Sequence, residues 1–107
     1  HPAARQQRCW LHKTINVLNG LPKLSLPKAK NAIHNIWQAE TKDDAEKAFY
    51  LFTKTYQSKY PKVALCMQKD HEDLMAFLDF PDQYWQRIRT RNPIESAFVM
   101  IRHRTKL

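Results

Sequence analysis

The prolines constrain this chain more than any other feature. Proline has no amide donor and clashes with the turn before it, so it belongs in the first turn of a helix and not in its interior. Pro2, Pro22, Pro27, Pro61, Pro81 and Pro93 divide the 107 residues into pieces of ordinary helix length, with Gly20 the one glycine. Between them the chain is rich in Ala, Leu, Lys and Gln. No piece alternates apolar and polar residues as a half-buried strand does, and no internal repeat is visible. The pattern predicts an all-α fold, a compact array of six or seven short helices.

Local signals place them. A first helix runs from about Ala3 to Asn19 and stops at Gly20. Pro27 opens a second, through Ala39. Thr41-Lys42-Asp43-Asp44 resembles a capping box with Asp in the usual Glu position, and starts a helix to about Lys59. Pro61 begins another, to about Lys69. Asp70 caps a short helix ending near Asp79. Phe80-Pro81 opens one more, to about Arg89. Asn92-Pro93 opens the last, with Asn as N-cap and Pro at the first helical position. Phe49, Phe52, Tyr56, Leu74, Phe77 and Leu78 keep spacings of three and four and should face inward, with Trp37 and Trp85.

The length suits one domain with one modest core. No apolar run approaches the roughly 20 residues that span a bilayer, so no membrane partner is expected. The chain opens on His1-Pro2 without an initiator Met or a signal peptide and stops in mid-pattern at Lys106-Leu107. The expectation is a fragment of a longer polypeptide. Cys9 and Cys66 do not form a disulfide framework, which fits a reducing cytoplasm.

The net charge of +8 is unevenly placed. Residues 1–39 hold six Lys/Arg and no acid; residues 40–82 hold six against nine acids; residues 83–107 hold six against Glu95 alone. Basic ends flanking an acidic middle point to a polyanion at the ends, with nucleic acid as the first candidate.

Two constellations are able to carry chemistry. In "RCWLHK", residues 8–13, Cys9 and His12 share a helix face. Trp10, Leu11, Thr14, Ile15, Val17 and Leu18 fill one arc of that helix, while Cys9, His12 and Asn16 fall outside it with Arg5 beside them. Cys-x-x-His supplies only two of the four ligands of a structural zinc site. Nucleophilic catalysis by the pair needs an orienting third group, and none is apparent. A histidine donating to a phosphate or a carboxylate is the more natural use, and a merely exposed Cys and His is the bland one. The second constellation is Glu95 in "RTRNPIESAFVMIRHRT", residues 89–105. As the third residue of a helix it can fold back on the N-cap amide. It can also hold a metal ion beside a phosphate.

Several segments together are similar to one family. "QRCWLHKTINVLNGLPK", "AETKDDAEKAF", "KYPK", "FPDQYW" and "RTRNPIESAFVMIRHRT" resemble, in order and spacing, the Mutator-type transposases of bacterial insertion sequences, from about Arg5 to Lys106. The resemblance implies an RNase H-like catalytic domain with an Asp-Asp-Glu triad and a helical insertion between the second Asp and the Glu. Glu95 would be the triad glutamate, in Asn-Pro-Ile-Glu-Ser, and a ligand for Mg²⁺ or Mn²⁺, whose hard charge prefers carboxylates. Cys9 and His12 would be the motif that lies near the active site. Residues 1–20 would be the Cys-x-x-His helix, 21–87 the helical insertion and 88–107 the basic helix with the Glu motif.

The implied partner is DNA, as element ends and target, in a bacterial cytoplasm, with a homo-oligomer in the full-length parent. The implied contacts are Arg5, Arg8, Trp10, Lys13, Arg87, Arg89, Arg91, Asn92, Arg102, His103 and Arg104. For Trp10 the core stripe of its helix is the slightly favoured place over stacking on a base. The two catalytic Asp of the family lie outside this chain, so alone it is expected neither to bind the metal nor to cut DNA. It departs from the family at Arg91, where Thr is expected, and at Ala97, where Thr or Asn is. An alternative is a non-catalytic helical module that binds DNA or protein, and a further one is a purely structural bundle with Glu95 as a cap.

Overall fold

The computed structural model describes residues 2–79 and 92–105, with side chains over 4–79 and 92–102. The predicted helix from Pro81 to Arg89, and Trp85 with it, lies outside the described residues. Within them the fold is all-α, with no strand. Its helices are α1 (Pro2–Asn19), α2 (Leu26–Trp37), α3 (Lys42–Tyr56), α4 (Pro61–Lys69), α5 (His71–Met75) and α6 (Pro93–Thr105). Two 3₁₀ turns, Lys23–Ser25 and Ala76–Asp79, join them.

The proline signals act as expected. Pro61 and Pro93 are the first residues of α4 and α6, and Pro27 is the second of α2. Thr41 caps α3, its hydroxyl accepting from the Asp44 amide at 3.1 Å, and Asp43 and Asp44 put negative charge at the positive end of the helix. Asn92 caps α6, its side-chain oxygen accepting from the Glu95 amide at 3.1 Å. Helices α2 and α3 end two or three residues before the predicted boundaries, where ends commonly fray.

Two boundary residues work differently from the prediction. Gly20 does end α1, but not by entering the left-handed conformation, since its φ is not positive. It is needed for space. A Cβ there would lie 2.9 Å from Cγ2 of Val63, so any side chain would force Val63 to shift where the end of α1 approaches the start of α4. Asp70 precedes α5 without a capping bond from its side chain. Its carboxylate pairs instead with Lys13. The single helix predicted from Asp70 to Asp79 tightens to 3₁₀ geometry after Met75.

Helix α1 is the centre of the array. It packs most extensively along α6 and also touches α2, α4 and α5. Its inner stripe is Trp10, Thr14, Val17 and Leu18, all buried. Trp10, Trp37 and Phe77 form a ring triangle with centroids 5.1–5.9 Å apart, which joins α1, α2 and the second 3₁₀ turn. Phe49, Phe52 and Tyr56 bury the inner face of α3, and Ile94, Ala97 and Ile101 that of α6. The two helices that bracket the sequence of this array are thus packed on each other, with α2 to α5 gathered beside them.

Candidate functional site

Glu95 stands in the first turn of α6, on the edge of that helix's buried stripe. Its side chain is 52% exposed, and its Oε2 lies 3.1 Å from Nζ of Lys30 on α2. Lys30 also sits 4.6 Å above the Phe98 ring, and the Arg102 guanidinium lies 5.8 Å from the same ring. Ile94 and Ala97, on either side of Glu95, anchor α6 in the core and so fix where the carboxylate emerges. The Asn92 cap sets the first turn. Its Nδ2 lies 3.5 Å from Nδ1 of His34. The Glu95 backbone amide is therefore satisfied by Asn92, while its carboxylate is directed to Lys30 and solvent.

Cys9 and His12 lie elsewhere on the surface. Cys9 is half-buried and His12 exposed, and with Arg5, Arg8, Asn16 and Asp70 they line a groove between α1 and the α4–α5 corner. Of the helical arc argued from periodicity, Trp10, Thr14, Val17 and Leu18 are buried and Leu11 and Ile15 half-buried, while His12 and Asn16 are exposed and Cys9 is half-buried at the groove. Glu95 is not among the residues that line this groove. No three His, Cys, Asp or Glu among the described residues come together closely enough to hold a metal ion.

Two residues expected to meet DNA are committed to the interior. Trp10 is fully buried and donates its indole N–H to the Leu74 carbonyl at 2.9 Å, so its ring is not available to stack on a base. Lys13 is nine-tenths buried. Its ammonium pairs with Asp70, donates to the Cys66 carbonyl at 2.7 Å and lies 3.6 Å from the Cys66 sulfur. The Lys13 ammonium beside Asp70 holds that carboxyl below the usual aspartate range. Both residues therefore hold α1 to the α4–α5 corner. Gln6 reinforces them with bonds to the carbonyls of Asp73 and Leu74 at 3.1 and 2.9 Å.

The other expected contacts divide as follows. Arg5, Arg8 and Arg102 are exposed. Asn92 is half-buried in its capping role. Arg87, Arg89, Arg91 and the side chains of His103 and Arg104 lie outside the described residues. Sequence reasoning missed Lys30, the partner of Glu95, and Gln6. Both act across long separations, 65 residues for Lys30 and 67 and 68 for Gln6, and no local spacing announces them.

Comparison with known proteins adds the family. The profile of the family described as "Transposase, Mutator family" matches residues 1–107. The chain is 51% identical over 105 residues to the transposase for insertion sequence element IST2 of Acidithiobacillus ferrooxidans, which covers 98% of this chain and 36% of that protein. It is 43% identical over 106 residues to the transposase for IS6120 of Mycolicibacterium smegmatis, covering 99% and 33%. It is 32% identical over 104 residues to the transposase for IS1081 of Mycobacterium tuberculosis, covering 97% and 25%. The chain spans about a third of the length of the first two. No solved structure gives a significant match. No helix among the described residues is long and apolar enough to cross a membrane. With the Cys-x-x-His helix, the capped Glu95 helix and a family match from end to end, the chain belongs to the Mutator family of transposases.

Proposed function

We propose that this chain is the part of a DNA transposase that carries the triad glutamate, Glu95, and the helices around it. The observation that carries this reading is the position of Glu95. Within Asn-Pro-Ile-Glu-Ser it emerges from a well-anchored helix, and its amide is already satisfied by Asn92. Its carboxylate is exposed and held by one lysine at 3.1 Å. A partly exposed pair of this kind is weak and can exchange for a stronger cation.

Glu95 offers the hard oxygen that Mg²⁺ or Mn²⁺ prefers. It is one ligand only, so the metal would be completed by the two aspartates expected elsewhere in the parent. Held there by Glu95 and those aspartates, the metal would supply Lewis-acid activation for phosphodiester cleavage. The chain's own residues do the rest. Helix α6 fixes the direction of the Glu95 carboxylate through Ile94 and Ala97. Lys30 and Arg102 keep positive charge around Phe98, where a DNA phosphate would approach. Arg5, Arg8 and His12 present donors along the other groove. The isolated chain would not cut DNA, and the parent would act as a homo-oligomer.

A non-catalytic helical binding module is the second reading. It is favoured by the Lys30–Glu95 pair, which gives Glu95 a structural use. One experiment separates the two: strand cleavage and joining by the full-length parent on its own element ends with Mg²⁺, wild type against Glu95→Gln. Under the first reading the variant binds the ends and cleavage falls below detection. A variant that cuts like wild type would place the catalytic carboxylate outside this chain.

A further inference from the structure

A second groove opens where the end of α1 meets the start of α4. Its walls are Asn16 and Gly20 on one side and Lys59, Tyr60, Lys62 and Val63 on the other. Gly20 makes it possible, since a side chain there would collide with Val63. The floor is mostly apolar and includes the half-buried Tyr60 ring. The rim is cationic. Lys59 and Lys62 are exposed, and neither is ion-paired among the described residues; Lys59 lies 5.7 Å over the Tyr60 ring. Between Glu46 and Asp70 the chain carries Lys47, Lys54, Lys59, Lys62 and Lys69 and no acid. The groove thus sits in a locally basic region of a segment that is acidic as a whole.

Asn16 lines this groove and also the groove of Cys9 and His12. The two adjoin at Asn16, which makes them a candidate for one track along the exposed side of α1. From Arg5 to Asn16 that side is about 17 Å long, at about 1.5 Å per helical residue, and it continues past Gly20 to Lys62. The acids beside it are Asp70 and Asp73. Asp70 is neutralised by Lys13.

We infer that this track binds a single strand of nucleic acid, with phosphates on Arg5, Arg8, Lys59 and Lys62 and a base against the Tyr60 floor. A cationic rim over an apolar, aromatic floor is the arrangement that binds strands without reading sequence. A purely acidic peptide such as polyglutamate would meet the rim but has no ring to stack on the floor. The choice of DNA as the strand rests on the function proposed above; the groove's chemistry does not.

The test is fluorescence anisotropy of a labelled single-stranded DNA oligonucleotide of mixed sequence with the 107-residue chain, titrated in salt. Lys59→Gln/Lys62→Gln is compared with Lys42→Gln/Lys69→Gln, which removes the same charge beside Asp43, Asp44 and Asp70. Circular dichroism checks that both doubles keep the fold. The groove double should bind about 10-fold more weakly than the control double. Its salt slope should fall by about 1.4, at about 0.7 for each phosphate that is no longer neutralised. Equal affinity and slope for the two doubles would overturn the inference. An abasic strand of equal length should bind at least about fivefold more weakly than the normal strand. Equal binding, or equal competition by polyglutamate, would mean that the groove reads charge alone, and would overturn it too. The proposed function is tested at Glu95 by cleavage in the parent, and this inference at Lys59 and Lys62 by strand binding, so either result can fail while the other stands.

Discussion

Two lysine–carboxylate pairs close the array, and they differ in kind. Lys13–Asp70 ties α1 to the α4–α5 corner, with the lysine side chain 10% exposed and the aspartate 37%. Lys30–Glu95 ties α2 to α6, with exposures of 24% and 52%. The first lysine has no other role open to it. Its ammonium is surrounded by the Asp70 carboxylate, the Cys66 carbonyl and the Cys66 sulfur. The second pair faces water, and its carboxylate can change partner. The same chemistry serves as a fastener in one seam and as a releasable tie in the other, and burial decides which.

The largest effect should come from the fastened seam. Trp10→Ala removes a fully buried ring that packs on Trp37 and Phe77, and leaves the Leu74 carbonyl without its indole partner. A loss of about 3–5 kcal/mol in urea unfolding is expected. A cost below about 1 kcal/mol would mean that the ring is not part of the core and would reopen it as a base-stacking residue. Lys13→Met comes next. It keeps most of the stem but strips the ammonium from Asp70 and Cys66, so stability should fall by about 1–3 kcal/mol. DNA affinity should fall no further than the removal of one charge explains, which the salt slope would show.

Asp70 makes that seam sensitive to acid. Its folded pKa is depressed by the Lys13 ammonium, first through their hydrogen bond and then through charge attraction. A depressed carboxyl contributes stability that is fully present above the unfolded pKa, about 4. That contribution disappears as pH falls through the lower folded value. Wild type should therefore be more stable than Asp70→Asn at pH 6, and the gap should narrow in urea titrations below about pH 4. A gap that stays constant down to pH 2 would show that Lys13 and Asp70 do not interact in solution.

Much of this architecture could be read from local sequence, because caps and prolines act within one helical turn. Thr41 and Asn92 satisfy amides three residues away, and Pro61 and Pro93 start helices where they stand. The inner stripe of α1 followed from its period, and so did the outward placing of Cys9 and His12. What could not be read was every choice made across the fold. Gly20 looks like an ordinary helix stop until Val63 is placed against it. Asp70 looks like an ordinary cap until Lys13 arrives from α1. Lys13 looks like one more basic residue in a basic segment. Its angle on the helix, between the apolar arc and the polar face, does not reveal a carboxylate waiting there. For Glu95, periodicity could offer the shoulder of a stripe, but Lys30 is visible only once α2 and α6 touch.

The smallest expected effect is also the most discriminating. Glu95→Gln should change the stability of the isolated chain by no more than about 0.5 kcal/mol, because an exposed pair contributes little and Gln is also accepted at the third helical position. Lys30→Met should behave alike, and the two changes together should cost no more than either alone if the pair is their shared term. The measurement is a double-mutant cycle by urea unfolding at low and high salt. A coupling above about 1.5 kcal/mol that persists in high salt would make Lys30–Glu95 a fastener like Lys13–Asp70. Its carboxylate would then be too firmly held to change partners readily, and the case for Glu95 as a metal ligand would weaken. A near-zero coupling, set beside complete loss of cleavage by Glu95→Gln in the parent, would separate the residue's chemistry from its packing. Stability would be indifferent to a carboxylate on which strand cleavage depends.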